Sequence, residues 1–406
     1  AIREAIEDVK DKPVLIDLHT TIGYGSENEN TCKMHGTPMT EQQLSNYKKR
    51  FGMDPNQSFT IPAEVYRYYD EKVRKSRILP KVSEWNEKIA LYKQKYPTDY
   101  NILNELINGG TYTNSYFKNL FSKLNSFSSS TTTEFLSTRI FSGEALNIIS
   151  THIPGLIGGS PDLTPTTNTT LNDQIEFNFD HREGRYIQFG IREHSMQAIA
   201  NGISCYGFKG VIPFTGTFLA FYNYLLPPIR IAALDNLRTL IIASHDSIGV
   251  GEDGSTSQPV ECLAQLRAMP NTAVFRPCDI NETCAGYATT FSGPNRPTIL
   301  VFSRQPSEVP VCGASFDGAL RGGYVIKKFD DASEKVKVVI IATGTEVVLA
   351  VKAATILSVK FNVEVVSLPC CLIFDEQDDE YKKSVLPPMN EILRVSVEAG
   401  VGFGWS

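Results

Sequence analysis

Tyr186-Ile187-Gln188-Phe189-Gly190-Ile191-Arg192-Glu193-His194 is a short apolar run that turns into charge, and a helical pattern from Ser195 to Tyr206 follows at once. A buried strand that hands over to a helix through a carboxylate belongs to an open α/β sheet, where ligands bind at the strand ends beside helix starts. Two readings of Glu193 are open on these residues. In an apolar pocket the carboxyl stays protonated and shares a proton with a ring nitrogen. In the first turn of an ordinary helix it serves the cap and the dipole.

Working outward, the same strand-and-helix grammar repeats. Thr138-Arg139 and a helical segment Phe141 to Ser150 lead to Leu156-Ile157-Gly158-Gly159-Ser160-Pro161-Asp162-Leu163-Thr164-Pro165, a strand end with glycines and a carboxylate. A plain turn with a capping aspartate is the simpler account of Asp162 alone. Downstream, Phe218, Phe221 and Tyr224 fall at i, i+3 and i+6, so they line one helical face, either as core or as the wall of a planar ring. Leu237 to Ser244 is an apolar strand ending in the loop His245 to Gly254, where His245 and Asp253 can bind hydroxyls or simply sit in water. Strands at Thr272 to Phe275 and Thr298 to Phe302 follow, and Arg304 just beyond the second offers, with Arg139, a fork suited to phosphate. A last unit from Gly322 reads β-α-β: Lys337 to Ala342, Glu346 to Val359, Val363 to Leu368.

Upstream, Ala1 to Lys10 has the pattern of an amphipathic helix, Pro13 to His19 reads as a mostly apolar strand, and Thr20-Thr21-Ile22-Gly23-Tyr24-Gly25-Ser26 is a glycine and hydroxyl loop. His35 lies between Met34 and Gly36, presented on a loop rather than packed in a helix. From Thr40 to about Tyr100 the pattern is helical and charged, and the polar stretch Gly109 to Thr133 reads as a linker.

At 406 residues the chain has room for two or three domains with sizeable cores, and its 42% hydrophobic and 21% charged residues are ordinary globular composition. A net charge of -6 argues against nucleic acid or an anionic membrane as the main partner. No apolar run approaches a membrane span. The eight cysteines are scattered, without metal-like spacing, and read as free thiols of a reducing compartment. No metal ligands are assigned.

Taken together, these motifs resemble the transketolases, thiamine-diphosphate enzymes, and the resemblance covers nearly the whole chain except 80–135. It rests on Thr20 to Ser26 with His35-Gly36, Gly158 to Pro165, Gly190 to His194, Gly216-Thr217-Phe218, His245 to Gly254 and Ser303-Arg304-Gln305, in the family's order. The fold it implies is α/β, with parallel-sheet domains of the thiamine-diphosphate enzyme type. The domains would be the C-terminal part of a diphosphate-binding domain at 1–100, a linker at 101–136, a pyrimidine-binding domain at 137–315 and an incomplete α/β domain at 316–406. The activity implied is transfer of a two-carbon ketol unit between phosphorylated sugars in the pentose phosphate pathway, by a cytoplasmic homodimer.

The resemblance also implies roles. Glu193 protonates the aminopyrimidine of the cofactor and so promotes deprotonation of its thiazolium; Phe218, Phe221 and Tyr224 surround the pyrimidine, with Ile22 and Asp162 close by. His35 stands near both diphosphate and substrate, and His245 is grouped with Glu193 and His35 as catalytic. His245 and Asp253 contact sugar hydroxyls, while Arg139, Thr166 and Arg304 take the phosphate. Where the family often carries a second histidine after the acidic loop, this chain has Ser257 among its substrate residues. The Gly-Asp-Gly motif and the ligands of the magnesium that holds the diphosphate are expected upstream of Ala1, outside this chain. Two alternatives remain at this point: another thiamine-diphosphate enzyme such as 1-deoxyxylulose-phosphate synthase, and a noncatalytic fragment or interaction subunit.

Overall fold

Among the described residues twelve strands carry the framework. In chain order they are β1 (Glu134–Leu136), β2 (Leu156–Ser160), β3 (Tyr186–Gln188), β4 (Ile212–Phe218), β5 (Thr239–Ser244) and β6 (Ala273–Phe275). After these come β7 (Pro297–Val301), β8 (Ser307–Val309), β9 (Tyr324–Phe329), β10 (Lys337–Ala342), β11 (Asn362–Ser367) and β12 (Leu393–Val397). The computed structural model describes residues 2–9, 13–124, 134–172, 174–329, 336–388 and 392–405.

The chain divides into two compact units, 1–95 and 96–406. The second is built on a six-stranded sheet ordered β3-β2-β4-β5-β7-β6, parallel at every pairing. All six residues of β5, Thr-Leu-Ile-Ile-Ala-Ser, are buried, as an inner parallel strand covered on both faces requires. The order reverses direction at β2 and β4, and such a switch point is where α/β sheets open a crevice at their carboxyl ends. Gly158 and Gly159 serve the packing there: a Cβ on Gly158 would stand 1.9 Å from the Phe214 carbonyl oxygen and one on Gly159 2.0 Å from that of Ile187. Any larger residue would push β2 off its neighbours.

A four-stranded sheet, β12-β10-β11-β9, forms the C-terminal layer. Its β10 and β11 realise the expected β-α-β unit around the helix Glu346–Leu357, with β12 also parallel to β10. The sequence reading did not include β9, which runs antiparallel to β11 and makes this sheet mixed. One continuous apolar core, holding Phe214, Leu240 and Ile242 together with Ile340 and Val347, joins the layers of the two sheets.

Two expectations change. Helices Pro97–Asn108 and Asn114–Phe121 occupy the first part of the expected linker, and Phe117, Leu120 and Phe121 are buried in that same core. Aromatic anchors at Phe117 and Phe121 were masked by the polar residues between them. The tract 125–133 lies outside the described residues.

In the first unit, helices Ile2–Asp8 and Glu41–Arg50 precede a helical run from Ala63 through a π-helical stretch to Lys95. Thr40 opens the second of these with a reciprocal capping box to Gln43, which satisfies two backbone donors at the helix start. The expected strand Pro13 to His19 is not formed, and Leu15 and Leu18 are exposed. A strand needs a neighbour to take its backbone hydrogen bonds, and the described residues of 1–95 contain no other strand.

Candidate functional site

The carboxyl ends of the large sheet deliver most of the predicted residues. Asp162 follows β2, Glu193 follows β3, Phe218 ends β4, His245 follows β5 and Arg304 follows β7. Glu193 is the first residue of the helix Glu193–Cys205 and is partly exposed, so the chain alone does not enclose it in an apolar pocket. Asp162 is exposed.

The aromatic stripe is arranged differently from the helical face expected. Phe218 belongs to a strand, and the residues after it form a 3-10 helix, Leu219–Leu225. Phe218 and Phe221 still meet, stacked with centroids 5.4 Å apart, while Tyr224 is 63% exposed. Phe218 also stacks against the His245 imidazole at 3.5 Å, in planes 23° apart.

His245 is not on a solvated loop: it is 2% exposed, and Asp246 and Ser247 beside it are buried too. Its φ is 60°, a left-handed backbone that costs a non-glycine residue about 1 kcal/mol or more and persists only where neighbours enforce it. Those neighbours are the Ser244 hydroxyl, 2.9 Å from Nδ1, the Phe218 ring, and Asp253, whose Oδ2 lies 3.7 Å from Nε2. Burial, with the Arg139 charge next in weight, pushes the imidazole down to about 4, so at neutral pH it is uncharged and can donate or accept a hydrogen bond.

The basic pair closes the other side of the cluster. Arg139 Nη1 donates to the Thr166 carbonyl oxygen at 2.5 Å, which brings the predicted Arg139 and Thr166 together. Its guanidinium is held below the usual arginine range by burial and then by the like charge of Arg304. Two guanidinium groups brought this close can together receive an anion such as a phosphate. Arg304 is occupied by acids meanwhile: Nε lies 3.2 Å from Asp253 and Nη2 donates to Glu252 at 2.9 Å, with Nη1 donating to the Val250 carbonyl at 3.2 Å. Ser257 is buried in the short turn Ser255–Ser257, where its N–H donates to the Gly254 carbonyl oxygen at 3.1 Å. Its side chain brings no cation, so the arginines are the positive charges of this cluster.

Ile22 and His35 belong to the first unit. Ile22 lies in the glycine loop, its carbonyl accepting from Asn30 at 2.9 Å, and His35 is exposed after the turn Cys32–Met34. Gly25 and Ser26 of this loop border a cavity of about 330 Å3 with Lys33, Gln43 and Arg50. Among the described residues no group of three or more histidine, cysteine or acidic side chains is placed to hold a metal ion.

Sequence reasoning placed Asp246, Glu252 and Gln305 inside its motifs without giving them a role, and missed Arg276 altogether. Glu252 was within the polar loop, but its pairing with Arg304 spans 52 residues. Arg276 carried a usable signal, being a charge directly after the buried strand β6.

The comparisons with known proteins agree with one another. Residues 1–111 match "Transketolase, thiamine diphosphate binding domain", residues 135–308 match "Transketolase, pyrimidine binding domain", and residues 322–406 match "Transketolase-like TK C-terminal domain". The transketolase of Aquifex aeolicus is 40% identical over 398 residues, which cover 97% of this chain and 55% of that protein. A chloroplastic transketolase of Craterostigma plantagineum is 38% identical, covering 100% of this chain and 76% of that protein. Among solved structures, transketolase from Leishmania mexicana superposes with a TM-score of 0.85 at 39% identity, covering 100% of this chain and 58% of that one. Transketolase from Pichia stipitis in complex with sedoheptulose-7-phosphate gives 0.83 at 38% identity, covering 100% and 59%. The chain thus spans little more than half the length of most of these relatives.

Proposed function

Because the chain belongs to the transketolase family, we propose that it supplies the sugar-phosphate and pyrimidine sides of an enzyme that transfers a two-carbon ketol unit between phosphorylated sugars. The observation that carries this is the cluster at the strand ends: neutral His245 stacked on Phe218, beside Asp253 and the repelling pair Arg139 and Arg304. It offers hydroxyl-binding groups and a phosphate fork on adjacent loops, as a phosphorylated polyol requires.

Thiamine diphosphate supplies the nucleophilic carbon in this chemistry. The residues here suit its pyrimidine: Phe218 and Phe221 present stacked rings at the end of β4, and Glu193 stands at the same edge of the sheet, after β3, where it can hold a proton for a ring nitrogen. His245 and Asp253 orient the sugar hydroxyls. Arg139, Arg304 and the Thr166 region anchor the phosphate, with Asp162 as a further cofactor contact at the same sheet edge; Ile22 and His35, in the first unit, are proposed by themselves as cofactor contacts. A magnesium ion would take its ligands from outside this set of residues.

Glu193 is partly exposed and its helix also exposes Ile199, with Tyr206 just past its end. An apolar surface of this kind fits a homodimer in which a second copy dries the site. All eight cysteines are free, which suits a reducing compartment such as the cytoplasm. Among the described residues no helix is long and apolar enough to cross a membrane.

Glu193→Gln, which keeps shape but cannot exchange the proton, is expected to lower ketol transfer between phosphorylated sugars by roughly 100-fold or more in a protein that carries this chain. Normal transfer by that variant, or consumption of pyruvate in place of a ketose phosphate, would overturn the reading.

A further inference from the structure

We propose that Arg276, together with the Thr343–Glu346 corner of the C-terminal layer, positions His245 through Asp246 and so sharpens sugar recognition without touching the sugar. The inference builds on the reading of His245 as a ligand of sugar hydroxyls.

Arg276 is fully buried at the end of β6. Its Nε and Nη2 donate to Asp246 Oδ2 at 3.1 and 2.7 Å, so the pair is held at two points on one side. Its Nη1 donates to the Thr343 carbonyl and hydroxyl oxygens at 3.2 and 2.9 Å and pairs with Glu346. The backbone is tied to the same layer, since Arg276 N–H donates to the Pro369 carbonyl at 2.8 Å and Gly344 N–H to the Arg276 carbonyl at 3.0 Å. Gly344 leaves the room: at φ 56° any Cβ would come within 2.8 Å of the guanidinium carbon. The corner is braced in turn, because the Thr343 hydroxyl donates to Glu398, which receives the Arg267 fork at 2.7 Å on both oxygens and the Trp405 indole at 3.0 Å.

A buried cation between two carboxylates can serve simply as a staple between layers. The neighbour of Asp246 argues for more. His245 sits in a left-handed backbone that its surroundings must enforce, and Asp246 is the next residue, with its carboxylate pinned by Arg276 and touched by Gln305 at 3.4 Å. The end of β5 fixes one side of His245 and Asp246 fixes the other. If Asp246 shifts, His245 relaxes and its ring slides off Phe218. Arg304 is tied to Val250, Glu252 and Asp253 of the same loop, but Arg139 is held from the Thr166 carbonyl on another element and keeps its side of the phosphate fork.

The test uses the full chain with Thr343→Val, which removes the hydroxyl at the corner, and Thr343→Ser, which keeps it. Nitrogen-15 histidine spectra resolve the six imidazoles, with His245 assigned by the signal lost in His245→Gln. Calorimetry then compares fructose 6-phosphate with inorganic phosphate. For Thr343→Val the His245 signal is expected to move while the others hold, and affinity for fructose 6-phosphate to fall about tenfold relative to inorganic phosphate. Thr343→Ser should restore both. A folded Thr343→Val chain with an unmoved His245 signal overturns the proposal, as does an equal loss for both ligands, which is what a mere staple gives. Equal fructose 6-phosphate affinity in wild type and His245→Gln would instead overturn the sugar role of His245, and with it the recognition half of the proposal; a shifted His245 signal in Thr343→Val would still uphold the positional half.

Discussion

Residues 2–95 and 96–405 spend their apolar side chains in opposite ways. In the first unit Gly25 is the only described residue that is buried, and Leu15, Leu18, Phe59 and Trp85 face outward. In the second, three apolar clusters cover both faces of the sheets, and side chains such as Phe214, Ile242 and Val339 are wholly enclosed. Local signals dominate the first unit: a capping box at Thr40, i,i+4 pairs such as Arg74 with Asp70, and turns, joined by a few longer contacts such as Arg50 with the Gly25 carbonyl and Tyr24 with Phe51. Such signals contribute only tenths of a kcal/mol apiece for the pairs and about 1 kcal/mol for a cap. The second unit is held by burial, at about 25 cal/mol per Å2 of apolar surface removed from water.

The largest effect this contrast predicts is in proteolysis. Brief trypsin treatment of the chain, followed by intact mass, should cut first within 2–95, at exposed sites such as Lys72, Arg74 and Lys81, and leave a resistant core from 96–406. Equal resistance of both units would show that the first finds cover. Next in size, Phe214→Ala is expected to cost the second unit about 3–5 kcal/mol in urea unfolding, because its ring is enclosed in the shared core and nothing adjacent can close the void.

The same contrast explains what could be read in advance. The strands β2, β3, β5, β7, β10 and β11 announce themselves as apolar runs ended by turns, as strands of a parallel sheet do. The positions of Glu193, His245 and Arg304 at strand ends follow from that pattern, whereas Phe218 reads as part of a helical face and ends β4 instead. Three things were hidden. Pro13 to His19 has a strand's composition but no partner to pair with among the described residues of its unit, and pairing is a property of the neighbour. The burial of His245 depends on Phe218, 27 residues earlier in sequence, and a polar loop gives no hint of it. The route from Asp246 through Arg276 to Glu346 joins three segments far apart in sequence, so no local spacing encodes it.

A third prediction sits inside the second unit. His245 is pushed down to about 4 from an ordinary 6.5, by burial first and the Arg139 charge second. The folded chain therefore gives up this proton more readily than the unfolded one. Its contribution to stability is complete above pH 6.5 and is lost as the pH falls toward 4. Between pH 7 and 5 this amounts to about 2 kcal/mol. Urea midpoints measured across that range for wild type and His245→Gln should show a shallower fall in the variant; parallel slopes would mean that the imidazole is solvated. No histidine of the first unit is enclosed in this way, since both His19 and His35 are exposed.

The smallest expected effect tests the exposed side of the comparison most sharply. Leu15→Ser replaces a side chain that is 92% exposed, so a chain standing alone should change in stability by no more than about 0.5 kcal/mol. If a second copy covers this unit, as the proposed homodimer would, the substitution acts on assembly instead. Sedimentation would then show weaker self-association in Leu15→Ser, with the urea midpoint depending on protein concentration in wild type. A null result at every concentration places Leu15 in water in the assembled protein. A loss that appears only at high concentration identifies it with a surface that the monomer leaves open, and accounts for apolar side chains that the first unit has no core to receive.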